Sequence, residues 1–267
     1  MIQRNFYPGD KWVFFKIYTS PLSANNLLLE NINPLIKQWM DSKVIDKWFF
    51  IRYADPDYHL RVRVEITDIE KLGKVISEMR TALAEDISGN LVFKIEIDTY
   101  QREIERYGEL NMERCESFFH QDSDLIIDTI NKTDKENDLL VISIIWLCDL
   151  LLMIKMSDSE ILDFVKVMSL RYRKEFNFSN EQIKIMNLKY REIRLNAVDG
   201  IKKLHAAPYE TTANNDWIRS EDRNGSLLSS LIHMHMNRLF PVNQRVYEFM
   251  VYHMFDKAFD SVLKQTQ

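Results

Sequence analysis

Between Phe49 and Ile66 the chain reads FFIRYADPDYHLRVRVEI, and the second half of that stretch admits few folds. Leu60, Val62, Val64 and Ile66 alternate there with His59, Arg61, Arg63 and Glu65. A strand sends successive side chains to opposite faces, so this period of two yields one aliphatic face and one face bearing an imidazole, two guanidiniums and a carboxylate. Asp55-Pro56-Asp57 supplies a reversal ahead of it, because proline fixes φ and aspartates bond to nearby backbone. A half-buried strand with a solvated charged face fits the pattern. An anion-gripping face fits it too, since two planar guanidinium forks two residues apart suit a carboxylate or a phosphate.

The neighbouring segments extend this strand into a sheet. Lys11–Thr19 reads as a first strand, Lys47–Tyr53 as a second, Tyr58–Ile66 as a third and Leu91–Thr99 as a fourth. Asn25–Met40 has apolar residues at spacings of three and four, with Ser23 as an N-cap and Pro34 as a kink or split. Ile69–Ala84 forms a second amphipathic helix. The order β-α-β-β-α-β is the ferredoxin-like arrangement, an antiparallel sheet with both helices on one face. The other face is predicted to carry Arg52, His59, Arg61, Arg63, Lys94, Glu96 and Asp98, with Trp12, Phe14, Trp48 and Phe50 among them.

From Tyr100 onward the pattern is helical. Asp122 or Ser123 is placed to cap Leu125–Asn131, Ser157 or Asp158 to cap Ile161–Phe176, and Ser179 to open a long helix to about Leu204. The stretch His205–Glu221 is polar and turn-rich, Gly225-Ser226 starts a helix through Leu239, and Asn243 starts the last one. The expected fold class is therefore α+β, a sheet subdomain over residues 1–105 and a mostly helical C-terminal half over 106–267, packed as one unit.

Composition bounds the function classes. A chain of 267 residues, 46% apolar and 12% aromatic, can bury a substantial core. The net charge of −5 gives no general attraction to nucleic acid or an anionic membrane. Cys115 and Cys148 are too few for a disulfide framework or a cysteine metal site, which suits a reducing cytosol. MIQRNFYPGDKW lacks the apolar stretch of a signal peptide, and the longest apolar run, Leu139–Ile154, is short for a membrane span and interrupted by Ser143 and Asp149. A cytoplasmic protein is the expectation. Nucleotide-loop, serine-hydrolase and HExxH motifs do not occur.

Two further patches carry chemistry. In Tyr100–Gly108, YQREIERYG, Arg102 and Arg106 lie four apart and would share one side of a helical turn, with Glu103 and Glu105 available to pair with them. A charged, solvated first turn reads the same way. In Leu231–Leu239, LIHMHMNRL, a helical wheel sets Ser229, Ser230, His233 and Asn237 on one side and places His235 with the apolar residues. His233 and His235 point too far apart to share a metal ion, and no third ligand pattern accompanies them.

FFIRYADPDYHLRVRV, TYQREIERYG and SLIHMHMNRL resemble, in order and spacing, the C-terminal elimination domain of class I lantibiotic dehydratases, which also occurs alone in lanthipeptide and thiopeptide clusters. The likeness runs from Trp12 to the last helix. One departure is Glu109, where the family usually has a second glycine after the tyrosine-glycine pair. The resemblance implies a lyase that expels glutamate from glutamylated Ser or Thr of a precursor peptide, leaving dehydroalanine or dehydrobutyrine. It implies no cofactor and no metal. It places Arg61, Arg63, Arg102 and His233 at catalytic positions, with His59, Arg52, Tyr53, Tyr100, Arg106, Asn237 and Arg238 as substrate-binding candidates. The implied partners are the precursor peptide and a separate glutamyl-tRNA-dependent glutamylating protein acting in trans, with no direct nucleic-acid contact; a homodimer is left open. Two alternatives stand beside it: the pyridine-forming cyclase branch of the same fold, in which the arginine-histidine set tends to be lost, and a peptide-holding module that accepts a strand at a sheet edge.

Overall fold

The strands run in chain order as β1 (Asn5–Phe6), β2 (Trp12–Tyr18), β3 (Ile45–Tyr53), β4 (His59–Ile66), β5 (Lys94–Asp98) and β6 (Tyr100–Gln101). In this computed structural model, which describes residues 2–206, 216–221 and 225–266, β2 to β5 form one antiparallel sheet ordered β3-β4-β2-β5. β4 and β2 are therefore central, and β3 and β5 are edges. The short strands β1 and β6 pair separately. Of the stretch read as turn-rich, residues 207–215 lie outside the described residues.

Helical segments fill the two crossovers. Between β2 and β3 run α1 (Ala24–Asn26), a π-helical turn (Leu27–Ile32) and α2 (Asn33–Asp41). Pro34 lies in the first turn of α2, where its missing N–H costs nothing, and the bonding pattern changes just before it. Ser23 occupies the N-cap position but makes no capping bond; its hydroxyl meets that of Ser20 at 3.0 Å. Between β4 and β5 run a 3₁₀ turn capped by Asp68 (Ile69–Lys71), α3 (Leu72–Ala82) and α4 (Ala84–Ser88).

The pairing register corrects one expectation about the sheet faces. Residues directly opposite each other share a face, and Arg63 stands between Phe49 of β3 and Phe14 of β2. Arg61 faces Lys16 and Ile51, and His59 faces Tyr18 and Tyr53. Trp12, Phe14, Lys94, Glu96 and Asp98 share that face, as expected. Arg52, Trp48 and Phe50 do not: they pair with Leu60, Val64 and Val62 and lie on the opposite face. The phase of β3 was ambiguous because WFFIRY is bulky at every position, and only the long-range pairing with β4 resolves it.

The chain divides into two compact units. The first holds residues up to Lys132 together with Asn237–Val242, and the second holds Thr133–Met236 and the residues from Asn243 onward. The first unit thus extends past residue 105 to include α5 (Ile104–Tyr107) and α6 (Met112–Lys132), because α6 packs on β3. α6 is continuous through Asp122 and Ser123, which are buried mid-helix and are not caps.

Those two residues serve the open edge of β3 instead. The Phe50 N–H donates to Ser123 Oγ at 3.3 Å, and Arg238 Nε donates to Phe50 O at 2.8 Å while its Nη1 reaches Asp122 at 3.0 Å. Asn237 uses its amide as a strand would use its backbone: Oδ1 accepts from Arg52 N–H and Nδ2 donates to Arg52 O, both at 2.9 Å. Buried strand-edge groups need such partners, since an orphaned one costs about 1–3 kcal/mol.

The second unit is helical, with α7 (Glu136–Met153), α8 (Asp158–Glu175), α9 (Asn180–Ala206), α10 (Asp216–Glu221), the part of α11 (Ser226–Leu239) up to Met236, and α12 (Gln244–Thr266). α8 begins with a full capping box between Ser157 and Glu160. α7 is apolar on all sides and packs against α9 and α12. Among the described residues no helix is long and apolar enough to cross a membrane. Burial pushes the thiols of Cys115 and Cys148 up to about 12, so neither is a nucleophile at neutral pH.

Replacing Asn237 with Leu keeps the volume and removes both bonds to Arg52. The unfolding free energy should fall by about 1–3 kcal/mol in urea denaturation, and hydrogen exchange at the Arg52 amide should accelerate. Unchanged exchange there would show that the Asn237 bonds do not protect this edge.

Candidate active site

The charged face of the sheet opens into a cavity of about 440 Å³ within the first unit. Lys16 of β2 and Arg61 and Arg63 of β4 form one wall with Phe14, and Asp98 at the end of β5 is followed along the chain by Thr99, Gln101, Arg102, Glu103, Glu105 and Arg106. Arg4 joins them because β1 pairs with β6, the Arg102 N–H donating to Arg4 O at 2.9 Å. Six cationic side chains thus line the cavity against three carboxylates.

Most of these charges are neutralised locally. Lys16 pairs with Asp98, Arg4 with Glu105 at 2.7 Å, and Arg106 with Glu103 at 3.2 Å. Arg102 is bound hardest: Nε and Nη2 form a two-pronged pair with buried Glu116 at 2.7 and 2.6 Å, and Nη1 donates to Gln3 O. Arg102 precedes α5, so it does not share a helical side with Arg106 as their spacing suggested; the cavity collects both regardless. Gly108 ends α5 at φ +82, a conformation glycine adopts freely, and Glu109 accepts from the Ile2 N–H.

Arg61 and Arg63 differ. No carboxylate among the described residues lies within ion-pair distance of either. Arg63 is buried among rings, its guanidinium carbon 4.2 Å from the centre of Phe14, 4.9 Å from Tyr100 and 5.2 Å from Phe49. Its Nε finds no acceptor among the described residues. Desolvation pushes its pKa down to about 10, which still leaves it charged at neutral pH. Aromatic faces recover part of the cost of that burial through their quadrupoles. Arg61 lies 3.4 Å from the centre of the Tyr53 ring and donates through Nε to His59 Nε2 at 3.1 Å.

The other sequence candidates have internal partners. Both ring nitrogens of His59 are engaged, Nδ1 with Asp57 O at 2.8 Å. Tyr100 donates its hydroxyl to Glu116 at 2.8 Å, and burial, with the carboxylate next to it, raises its pKa. Arg52 is buried and donates to Arg238 O, Asn25 and Tyr58, while Asn237 and Arg238 hold the β3 edge.

In the second unit His233 is half-buried on α11, with Nδ1 2.8 Å from Glu248 Oε2 of α12. An ionised carboxylate only accepts, so Nδ1 carries the hydrogen and Nε2 is the nitrogen able to exchange a proton. Glu248 is fully buried, with the Tyr252 hydroxyl 3.5 Å from its other oxygen. His235 stacks on Trp146 at 3.5 Å, a packing position as expected. Neither Glu116 nor Glu248 was singled out from the sequence. The available signal was a carboxylate inside an apolar run, CESFF and YEFMVY, which calls for a buried partner.

Residues 12–259 match the family described as lantibiotic biosynthesis dehydratase C-term. The chain belongs to that family. It is 27% identical over 256 residues to the subtilin biosynthesis protein SpaB of Bacillus subtilis, covering 90% of this chain and 24% of SpaB. It is 25% identical over 279 residues to the nisin biosynthesis protein NisB of Lactococcus lactis subsp. lactis, covering 97% of this chain and 26% of NisB. The chain spans about a quarter of the length of these relatives. In fold it is similar to the tRNA-dependent lantibiotic dehydratase MibB from Microbispora sp. 107891, with a TM-score of 0.64 at 20% identity over 100% of this chain and 29% of MibB. The pyridine synthase TbtD from thiomuracin biosynthesis is similar at a TM-score of 0.64 and 13% identity, over 96% of this chain and 100% of TbtD.

The contrast between the arginines is testable by stability. Arg102→Met strands the buried Glu116 carboxylate and should cost about 3–5 kcal/mol in urea denaturation. Arg63→Met removes a desolvated charge that has no carboxylate and should cost far less. Equal losses would mean that Arg63 is held as firmly as Arg102.

Proposed function

We propose that this chain expels glutamate from glutamylated Ser or Thr side chains of a precursor peptide, leaving dehydroalanine or dehydrobutyrine. The observation that carries this reading is a cavity in which Arg61 and Arg63 have no carboxylate within ion-pair distance among the described residues, in a chain that belongs to a dehydratase family. In this lyase reaction a base removes the Cα proton, the electron pair becomes the Cα–Cβ double bond, and the Cβ–O bond breaks to release glutamate as a carboxylate. Negative charge grows on the enolate and on the leaving group. Guanidiniums already in place lower both barriers, because no solvent need reorganise as the charge appears.

Arg61 and Arg63 are assigned to the glutamyl carboxylates. Arg102, fixed by Glu116, is assigned to charge on the ester or enolate. His233 is assigned the proton transfer through Nε2, with Glu248 holding Nδ1–H and steadying the imidazolium. The ester would come from a glutamyl-tRNA-dependent activity.

A second reading, formation of a pyridine ring from two dehydroalanines, is favoured by the fold likeness that spans all of TbtD. Mass spectrometry of precursor peptide incubated with the glutamylating partner, with and without this protein, separates the two. Loss of one water per Ser or Thr supports elimination, whereas a leader-free macrocycle supports cyclisation.

His233→Ala should slow elimination by about 10²–10⁴-fold and leave glutamylated peptide accumulating. Glu248→Gln keeps the volume but removes the charge behind the imidazole. It should lower the elimination rate in the same assay. Unchanged dehydration in His233→Ala would remove that residue from the mechanism.

A further inference from the structure

We infer that His59 is a positioning residue for Arg61, a neutral imidazole that accepts the Arg61 Nε–H and so leaves the outer guanidinium nitrogens for an anion in the cavity. The inference rests on the reading of Arg61 as an anion-holding group. His59 is 0% exposed, so it is not itself a surface ligand. Its Nδ1 lies 2.8 Å from Asp57 O, and because a carbonyl only accepts, Nδ1 carries the hydrogen. Arg61 Nε, 3.1 Å from Nε2, can only donate. The two bonds are therefore compatible only with the neutral Nδ1–H tautomer. Tyr18 and Tyr53 clamp the ring at 4.6 and 5.5 Å, and Tyr53 also covers one face of the Arg61 guanidinium. Nε and one face of Arg61 are thus spent inside the protein, while its Nη groups have no partner among the described residues.

Protonation of His59 would set two donors against each other at that contact and place two cations side by side. The groups around the ring are Lys16 and Tyr18 from β2, Tyr53 from β3, Arg61 on its own strand, Lys94 and Glu96 from β5, and the Asp57 carbonyl. Burial, Arg61 and Lys16 oppose the proton more strongly than the Asp57 carbonyl and Glu96 favour it, which lowers the pKa below 6.5. The arrangement therefore holds at neutral pH and is lost on acidification below the ordinary histidine range.

The test follows the Arg61 Nε–H by ¹H–¹⁵N NMR of the full chain, the resonance being assigned by loss in Arg61→Lys. Above the His59 titration the signal should be protected from exchange; below it the signal should shift or vanish, in step with the His59 ring resonances. His59→Gln, which retains an acceptor that does not titrate, should keep the signal across the range. In the elimination assay the same variant should stay within a few-fold of the parent and lose the acid limb that His59 contributes, while His59→Phe should fall about 10–100-fold. An Arg61 Nε–H that ignores His59 protonation, or that is unchanged in His59→Phe, overturns the inference. An absence of elimination in the unmodified protein would count against the proposed function, and the NMR result would still decide the role of His59.

Discussion

Glu116 takes both prongs of the Arg102 fork and the hydroxyl of Tyr100, so one buried carboxylate fixes two residues beside the cavity. It is 1% exposed, and the pair survives burial because three donors, Arg102 Nε and Nη2 and the Tyr100 hydroxyl, are directed at its two oxygens. The ring of Tyr100 lies beneath Arg63, so the same carboxylate that neutralises Arg102 also steadies the floor under a guanidinium it does not neutralise. This separation matters chemically. A cavity in which every arginine had its own acid would offer an incoming anion only exchange of one partner for another. Here at least two guanidiniums need no such exchange.

Arg61 and Arg63 reach that state by different means. Arg63 sits among three rings that stabilise a cation without supplying a negative charge. Arg61 gives its Nε to a neutral imidazole and one face to Tyr53. Both devices orient a charge while leaving it available, as the proposed glutamate release requires. In the second unit the buried Glu248 does the opposite for His233, offering it an acid that sets its tautomer.

Sheet edges give the same lesson about polar groups. Phe50 and Arg52 on β3 have their outward backbone bonds completed by Ser123, Asn237 and Arg238, residues far away in sequence. Asn237 and Arg238 belong to the segment that resembles the family's histidine-bearing motif, yet their polar atoms are used in the framework. A motif can therefore contain one residue with exchangeable chemistry, His233, beside two that hold the fold.

Local pattern was enough for much of this protein. The two-residue period of His59–Ile66 implied a strand with both arginines on one face, and the cap signals at Ser157 and Ser179 and the stop before Pro241 located helices, because each depends on neighbours along the chain. The arginine-bearing stretches could likewise be picked out by residue type and spacing. What lay beyond local pattern was anything decided by partners from elsewhere: the phase of β3, the binding of Arg102 by Glu116, the use of Asp122 and Ser123 inside a helix, and the lack, among the described residues, of a carboxylate within ion-pair distance of Arg63. Periodicity says which way a side chain points, but whether a charge is matched depends on which other elements pack against it, and only the tertiary structure makes that choice.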